Sequence, residues 1–350
     1  MIRTIETVPS NTAFEGQSSA VSLTPGAISQ AAEEAAERIA GFVVETPVFV
    51  SDSSNNGSAQ VLIKDETKQQ GRSFKDRGAG NAVNYHVLND EGLVVTASAG
   101  NHGKGLARAA QENGLDSIVV VGESSTREKR AGIEQYGAEL EVYGQNFDEA
   151  LEFARNFAGE RKGKFVHPFA DPLVIAGQAT IGLELLRQTP DMTDIVLPVG
   201  GGGMLAGVAS VIKEHKEKVR VIAAQADGTS AFTDSLSQGK PLQNQPVNPS
   251  YEGIAVGSVN PLNFEIAKRV VDGTVKVIKL DLDRMIHDFK RQRGVWLEYA
   301  GAVGPAAATL LAQSTAEEAD REIVTVASGA NPPTSLIRYL TKRAKTYHWN

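Results

Sequence analysis

The chain has 350 residues, of which 41% are hydrophobic and 22% are charged, a composition typical of globular proteins. Its formal charge is −7 and it has no cysteine, which excludes disulfides, thiolate metal ligands and a cysteine nucleophile. It has no basic block for nucleic-acid phosphates, no membrane-length apolar run and no secretory signal pattern. We therefore expect a cytoplasmic protein that binds neither nucleic acid nor membrane.

The pattern along the chain predicts alternating helices and strands after an N-terminal arm. Residues 1–25 are rich in small polar residues and lack a sustained hydrophobic period, which predicts an extended or disordered arm. Beyond them, short β-branched runs alternate with helical periodicity, as in parallel sheets covered by helices. The predicted strands lie at 61–63, 93–95, 118–121 and 195–197. The predicted helices lie at 27–42, 74–88, 102–113, 127–136, 147–158 and 204–216.

The order of these elements also predicts the domain organisation. A chain of this length fits two domains or one large α/β unit. Residues 93–170 read as strand, helix, strand, helix, strand, helix and strand, which predicts a small α/β domain inserted into a larger one. The large domain would then consist of residues 26–92 and 171–350.

Four consecutive glycines, Gly200 to Gly203, follow one predicted strand and precede a predicted helix. They do not form a Walker loop, because Met204 and Leu205 stand where that motif requires Gly-Lys-Ser/Thr. Ordering four glycines costs much chain entropy, so we interpret the segment as a phosphate-binding loop at a helix N-terminus. A plain tight turn is the alternative.

Two other segments place small or reactive residues at a helix start. Residues 98–103 have the sequence Ser-Ala-Gly-Asn-His-Gly, and the residues that follow lack the third glycine that a dinucleotide-binding motif requires. This segment either binds a ligand or caps the next helix. Lys75 lies where the helix dipole disfavours a cation. The same field, together with burial, would lower its pKa and make it a better imine nucleophile. A solvent-exposed lysine is the alternative.

Together these motifs resemble those of the fold-type II pyridoxal-phosphate enzymes, which include tryptophan synthase β-chain, threonine and serine dehydratases, serine racemase, threonine synthase and cysteine synthase. Four motifs occur in order after about Thr46: Ser-Phe-Lys at 73–75, residues 98–103, Pro-Val-Gly-Gly-Gly-Gly-Met-Leu-Ala-Gly at 198–207, and Ser-Gly-Ala-Asn at 328–331. The resemblance implies an α/β fold of two domains, each a mostly parallel twisted sheet flanked by helices. It also implies that the large domain binds pyridoxal 5′-phosphate, that the small domain is mobile, and that the chain forms a homodimer.

The resemblance implies a role for each motif. Lys75, beside Phe74, would form a Schiff base with the cofactor and then act as the base at the substrate Cα. Asn101 would hydrogen-bond the cofactor's phenolic oxygen, and Ser328 would face the pyridine nitrogen. A neutral hydroxyl at that position makes the ring a weaker electron sink, which favours loss of a β-substituent over transamination. The phosphate would be held by Gly200, Gly201, Gly202, Gly203 and Met204. The substrate carboxylate would be held by Ser98, Ala99, Gly100, Asn101 and His102.

The motifs are most similar to those of threonine and serine dehydratases. We therefore expect elimination of water from a small amino acid such as L-threonine or L-serine, giving a 2-oxo acid and ammonia. Ser-Phe-Lys-Asp-Arg-Gly at 73–78 is closer to threonine synthase. This similarity leaves a second hypothesis open, in which the enzyme catalyses a β- or γ-replacement. The substrate of that reaction could be an acidic or phosphorylated amino acid. A non-catalytic binding protein is the third hypothesis. Racemisation is not expected, because Ala99 replaces the serine of the racemases.

Other positions bear on ions and substrate. Gln225 stands where many dehydratases have a glutamate of a cation site, so we predict no metal. Glu298 matches a glutamate near the cofactor in relatives, although Tyr299 replaces the proline that follows it there. Lys104 and Arg72 flank cofactor motifs and are unusual in plain dehydratases. They are either surface cations or ligands for an additional acidic group on the substrate.

Overall fold

The computed structural model describes residues 6–7, 24–52, 59–315 and 320–347. Most of the predicted N-terminal arm lies outside these ranges. Within them, the elements alternate between strand and helix as the sequence pattern predicts. None of the described helices combines the length and the apolar character needed to cross a bilayer.

Two separate sheets organise the described residues. The larger sheet contains seven strands: β1 (Glu6–Thr7), β2 (Val48–Val50), β3 (Ala59–Asp65), β8 (Asp194–Pro198), β9 (Arg220–Ala226), β10 (Gly273–Val277) and β11 (Arg321–Ala327). The smaller sheet contains four: β4 (Leu93–Ala97), β5 (Asp116–Val121), β6 (Glu139–Val142) and β7 (Lys164–Phe165).

The strand order makes both sheets mostly parallel. The larger sheet runs β1-β10-β9-β8-β11-β3-β2, with parallel pairing among its five central strands and antiparallel pairing at both edges. The smaller sheet runs β6-β5-β4-β7 and all its described pairs are parallel. The predicted α/β fold class is therefore confirmed. The smaller sheet falls within the segment 93–170 that we assigned to the small domain.

Helices cover both sheets. They are α1 (Pro25–Arg38), α2 (Lys75–Leu88), α3 (Asn101–Asn113), α4 (Arg127–Glu134), α5 (Phe147–Glu160), α6 (Pro172–Gln188), α7 (Gly203–His215), α8 (Ala231–Gln238), α9 (Pro261–Val270), α10 (Lys279–Arg293), α11 (Tyr299–Ser314) and α12 (Thr334–Tyr347). The six predicted helices correspond to α1 to α5 and α7, with bounds that differ by at most four residues. Helices α1, α6 and α9 each begin with proline after a capping side chain, from Thr24, Asp171 and Asn260. Such a start satisfies free N–H groups of the first turn.

The core explains why the strands read as continuous apolar runs. Ile195, Val196 and Leu197 of β8 are all fully buried, because helices pack on both faces of the larger sheet. The smaller sheet is likewise covered on both faces. Strands β4, β8 and β11 each end at a loop that carries one of the sequence motifs. In open α/β sheets, ligands bind beyond the carboxyl ends of the strands.

Candidate active site

A cavity of about 310 Å³ lies between the loops that follow β4, β8 and β11. Every site residue predicted from the sequence lines it: Phe74, Lys75, Ser98, Ala99, Gly100, Asn101, His102, Gly200, Gly201, Gly202, Gly203, Met204 and Ser328. Lys104 and Glu298 line it as well, whereas Arg72 is exposed and does not. The cavity is also lined by Lys129, Phe169, Glu252 and Asn331, for which the sequence motifs predicted no role.

Lys75 is the first residue of α2, and its side chain points into the cavity. Its Nζ donates a hydrogen bond to the carbonyl of Pro168 at 2.7 Å. Burial lowers the pKa of Lys75 to about 8, and the nearby charge of Glu298 opposes this only in part. A lysine with this pKa has a substantial neutral fraction near pH 7.5, and only the neutral amine attacks a carbonyl.

The two residues after Lys75 anchor the start of α2. Asp76 accepts a hydrogen bond from the backbone N–H of Gly71 at 2.7 Å and pairs with Arg108 of α3 at 3.0 Å. The Arg77 guanidinium, fully buried, pairs with Glu66 at 2.8 Å and with Glu184 of α6 at 2.6 Å. These bonds fix the first turn of α2 to both α3 and α6, and so fix the direction of the Lys75 side chain.

The glycine loop lies between β8 and α7 and presents free backbone donors. No N–H group of residues 200–204 donates to an acceptor in the described part of the chain. A Cβ on Gly201 would overlap the ring of Phe169, and a Cβ on Gly203 would lie 2.5 Å from the carbonyl oxygen of Phe169. Gly202 has φ of +86°, a left-handed conformation. Packing behind the loop therefore requires glycine, and it leaves the N–H groups at the helix N-terminus free for an anion.

The loop after β4 offers a second set of donors. Ser98 and Gly100 use their N–H groups within the protein, with the carbonyl of Val120 and the Ser98 hydroxyl as acceptors. The N–H groups of Ala99 and of residues 101–103 have no acceptor among the described residues. Neither Ser98 nor Asn101 caps α3, since the residue before the helix is Gly100 and no side-chain cap is formed. The capping alternative is therefore wrong, and the residues from Ala99 to His102 that carry free N–H groups line the cavity.

A chain of side-chain hydrogen bonds crosses the cavity wall through Asn101. Its amide nitrogen donates to Glu298 Oε1 at 2.7 Å, and its amide oxygen accepts from Asn331 Nδ2 at 2.8 Å. Asn331 also donates to the carbonyl of Gly71 at 2.8 Å. Burial raises the pKa of Glu298, although the hydrogen bond from Asn101 opposes the rise. The network orients the Asn101 amide and leaves one of its two N–H protons for a ligand.

His102 and Ser328 complete the polar wall. His102 is 2% exposed, and neither ring nitrogen has a hydrogen-bond partner in the described structure. Burial, aided by the charge of Lys75, lowers the pKa of His102 well below its usual value, so the ring is neutral. Ser328 is buried, with its Oγ 3.3 Å from the carbonyl of Ala300. Its own carbonyl accepts from the N–H of Phe74 at 3.1 Å, which links the end of β11 to the start of α2.

Gln225, which replaces a glutamate of the dehydratase cation site, is buried and already engaged. Its Nε2 donates to the carbonyl of Val199 at 3.1 Å, and its Oε1 accepts from the N–H of Thr233 at 2.8 Å. Both functions of the amide therefore support the strand end beside the glycine loop. Among the described residues, no group of acidic or histidine side chains has the arrangement of a metal site.

The fold and this cavity define an enzyme class that holds an anionic cofactor at a helix N-terminus and reacts through a lysine amine. Residues 39–329 match the family of pyridoxal-phosphate dependent enzymes, and the chain belongs to that family. It is 36% identical over 315 residues to an L-threonine ammonia-lyase of Geobacter sulfurreducens, covering 89% of this chain and 77% of that protein.

Other similar proteins carry related names. A catabolic L-threonine dehydratase of Staphylococcus aureus is 31% identical over 307 residues, covering 85% of this chain and 87% of that protein. Among solved structures, the processed form of threonine deaminase isoform 2 from Solanum lycopersicum superposes with a TM-score of 0.84 at 30% identity, covering 97% of this chain and 93% of that chain.

The residues present fit pyridoxal phosphate. Its phosphate requires several hydrogen-bond donors, and the N–H groups of residues 200–204 are free. Its aldehyde requires a neutral amine, and burial has lowered the pKa of Lys75 to about 8. Its ring carries polar atoms that need partners, and Asn101, His102 and Ser328 stand in the same cavity. The predicted cofactor is confirmed: this is a pyridoxal-phosphate enzyme.

Proposed function

We propose that the protein eliminates water from L-threonine, L-serine or a related small β-hydroxy amino acid, and that hydrolysis of the resulting enamine releases a 2-oxo acid and ammonia. One observation carries the proposal: Lys75, the residues with free N–H groups at 99, 101 and 102, and residues 200–204 line the same cavity. These groups supply a base and two anion sites. Relatives named for threonine ammonia-lyase activity, at 36% and 31% identity, support the choice of substrate.

Each group has a defined task in this reaction. When bound, pyridoxal phosphate supplies an aldehyde for imine formation and a ring that withdraws electrons from the substrate Cα. The free N–H groups of residues 99–103 bind the substrate carboxylate and so orient the Cα–H bond. Lys75, whose pKa of about 8 suits proton transfer near neutral pH, accepts the Cα proton. Asn101 and Ser328 hold the ring atoms, and residues 200–204 hold the phosphate.

An ion pair between two residues of the cavity wall supports the exclusion of water. Lys129 of α4 forms an ion pair with Glu252 at 2.7 Å. Glu252 lies within residues 171–350, which we assign to the large domain. Both side chains line the cavity. Since Lys129 lies within residues 93–170, we propose that this pair forms when that small mobile domain approaches the larger one. Removal of water strengthens every electrostatic interaction in the site.

The proposal is tested by loading the protein with pyridoxal phosphate and adding L-threonine or L-serine. We expect 2-oxobutanoate or pyruvate to form together with an equal amount of ammonia, at rates that depend on the cofactor. Formation of D-serine should be minor, since Ala99 has no side-chain acid or base for the second face of Cα. Cofactor binding without any 2-oxo acid from either amino acid would contradict the proposed reaction.

A second candidate function is a replacement reaction, and one observation favours it. A further cavity of about 310 Å³ adjoins the site and shares Glu252, Gly253, Glu298, Ala300 and Asn331 with it. Its volume is sufficient for a small nucleophile. Such a reaction predicts that an added thiol or sulfide diverts the product of O-acetyl-L-serine from pyruvate to a β-substituted alanine. If pyruvate is unaffected by saturating nucleophile, elimination alone remains.

We also propose that the chain forms a homodimer in the cytoplasm, as the family resemblance implies. One chain has a mass of 37.2 kDa, so sedimentation equilibrium distinguishes monomer from dimer directly. A species of one chain mass at micromolar concentration would contradict the dimer. Fractionation of the source cells tests the cytoplasmic location.

A further inference from the structure

Lys104 is a cation in the cavity wall that the proposed reaction does not use. It lies in the first turn of α3, next to the loop that we assign to the substrate carboxylate, and it is half-buried. Its side chain passes over Gly132 of α4: a Cβ built on Gly132 would lie 2.7 Å from Lys104 Cε and 3.1 Å from its Nζ. The absence of a side chain at position 132 therefore makes room for the ammonium group.

Other cations of the cavity already have partners. Lys75 donates to the carbonyl of Pro168 at 2.7 Å, and Lys129 pairs with Glu252 at 2.7 Å. The ammonium group of Lys104, in contrast, makes no hydrogen bond or ion pair with any residue that the structure describes. Its charge acts at a distance on Glu298, whose Oε1 accepts a hydrogen bond from Asn101 at 2.7 Å. The ammonium group therefore keeps its N–H donors for a ligand anion, with which it would form charge-assisted hydrogen bonds.

The anions of the proposed reaction do not need Lys104. The cofactor phosphate would use the N–H groups of residues 200–204, and the substrate carboxylate would use those of Ala99 and of residues 101–103. Lys104 is packed against α4, whereas the glycine loop is backed by Phe169 on another wall of the cavity. A third anion, on the substrate side chain, would give Lys104 a partner.

We propose that the substrate carries a second acidic group at its β-carbon, a carboxylate or a phosphate ester, and that Lys104 binds it. The inference rests on the proposed function and specifies its substrate class. For a β-carboxylate, the Cα–H and Cβ–O bonds break, the hydroxyl leaves as water, and hydrolysis of the enamine gives a 2-oxo dicarboxylic acid and ammonia. For a β-phosphate ester, phosphate leaves in place of water, and one water molecule is consumed in releasing ammonia.

Matched pairs of compounds test the proposal on the wild-type enzyme. The erythro and threo forms of 3-hydroxy-L-aspartate differ from threonine by a carboxylate in place of a methyl group, and O-phospho-L-serine differs from serine by a phosphate. We expect kcat/KM to be about 10- to 100-fold higher for at least one acidic compound than for its neutral partner, as for one charge-assisted hydrogen bond. The compound that is favoured identifies the acidic group. Neutral compounds that react as well as both acidic ones would overturn the proposal.

Substitution of Lys104 tests which residue is responsible. In Lys104→Met the preference for the acidic compound should fall by about 10- to 100-fold, with threonine turnover changed by less than about threefold. Lys104→Arg should retain part of the preference. Lys164→Met, which removes a surface lysine of the smaller sheet, is the control and should change neither value. Equal loss for acidic and neutral compounds in Lys104→Met would overturn the assignment, because Lys104 would then act on the common carboxylate or on folding.

Binding of inert analogues separates this inference from the proposed reaction. L-Aspartate and L-2-aminobutanoate differ by the same carboxylate-for-methyl exchange and have no leaving group at Cβ. We expect calorimetry on the cofactor-loaded enzyme to show about 10-fold tighter binding of L-aspartate, lost in Lys104→Met. This result would stand even if no β-hydroxy amino acid were converted. Equal affinity for the two analogues would contradict the role of Lys104 whatever the reaction proves to be.

Discussion

A cluster of charged residues and the single Lys75 lie on opposite sides of the first turn of α2, and their environments differ. Behind the helix, a buried charge cluster consists of Lys64, Glu66, Arg77 and Glu184, joined by ion pairs of 2.6 to 2.8 Å. In front of it, Lys75 faces the cavity and donates to a carbonyl without an ion pair at hydrogen-bond distance.

The contrast shows how nearby charges decide whether burial controls the pKa of Glu66 and of Lys75. Burial alone would raise the pKa of Glu66, but the charges of Arg77 and Lys64 outweigh it and the pKa is lowered. At Lys75, burial is only partly opposed by Glu298, and the pKa falls to about 8. The pairs of Arg77 hold α2 in place, while Lys75, without an ion pair, has a pKa that suits imine formation.

Removal of Lys75 should have the largest effect on activity. In Lys75→Ala the 2-oxo acid rate should fall by at least about 10³-fold, because the amine that reacts with the cofactor is lost. The midpoint of thermal unfolding without cofactor should change little, since Lys75 has no ion pair to lose. Activity within tenfold of the wild type would show that another group performs the proton transfer.

Removal of Arg77 should instead affect stability. Arg77→Met leaves Glu66 and Glu184 without their shared partner, and we expect the free energy of unfolding to fall by about 3–5 kcal/mol. Arg187→Met is the matched control, because Arg187 forms an exposed pair with Glu45 at 3.0 Å. Its loss should cost less than about 1 kcal/mol. Urea unfolding of the cofactor-free proteins measures both values. Similar losses in the two variants would show that the buried pairs of Arg77 stabilise the fold no more than an exposed pair does.

Glu298 tests the hydrogen-bond network of the cavity. Glu298→Ala removes the acceptor for Asn101 Nδ2, and cofactor affinity should weaken by about 10- to 50-fold, as when a buried donor loses its partner. Glu298→Gln keeps an oxygen acceptor and removes the charge, so we expect a change below about threefold. Titration with pyridoxal phosphate measures both variants. An equal loss in both would mean that the charge of Glu298, rather than its hydrogen bond, supports the site.

The pH dependence of cofactor capture should show the lowered pKa of Lys75. Only the neutral amine reacts, and its fraction rises with pH around a midpoint of about 8. Between pH 7 and 9 this fraction grows about tenfold and then levels off, whereas an ordinary lysine would still be rising about 100-fold over the same interval. Stopped-flow absorbance of the cofactor-free protein with pyridoxal phosphate measures the rate. A rate that continues to rise steeply beyond pH 9 would contradict the effect of burial on Lys75.

The sequence could predict the parts of this molecule that depend on local patterns. The helix predicted at 74–88 is α2 at 75–88, and the one predicted at 204–216 is α7 at 203–215, because hydrophobic period and glycine loops define such ends. The motifs also predicted which residues would meet, since loops at the carboxyl ends of parallel strands share one region. The roles of these residues remain predictions.

Contacts between distant segments could not be predicted in this way. Asn101 and Glu298 are 197 positions apart, and Arg77 and Glu184 are 107 apart, so no local period relates them. The four glycines were interpreted from their entropy alone, whereas the structure shows that Phe169 also requires a loop without side chains. Arg72 and Lys104 were equivalent in the sequence, but only Lys104 lines the cavity.

The central claim is that Lys75, and not another cavity lysine, carries the cofactor. The most direct test is borohydride reduction of the protein loaded with pyridoxal phosphate, followed by mass spectrometry of its peptides. We predict that the visible absorption band is lost on reduction and that one phosphopyridoxyl group per chain is found on Lys75. Labelling at Lys104 or Lys129, or no covalent label after loading and reduction, would contradict the account.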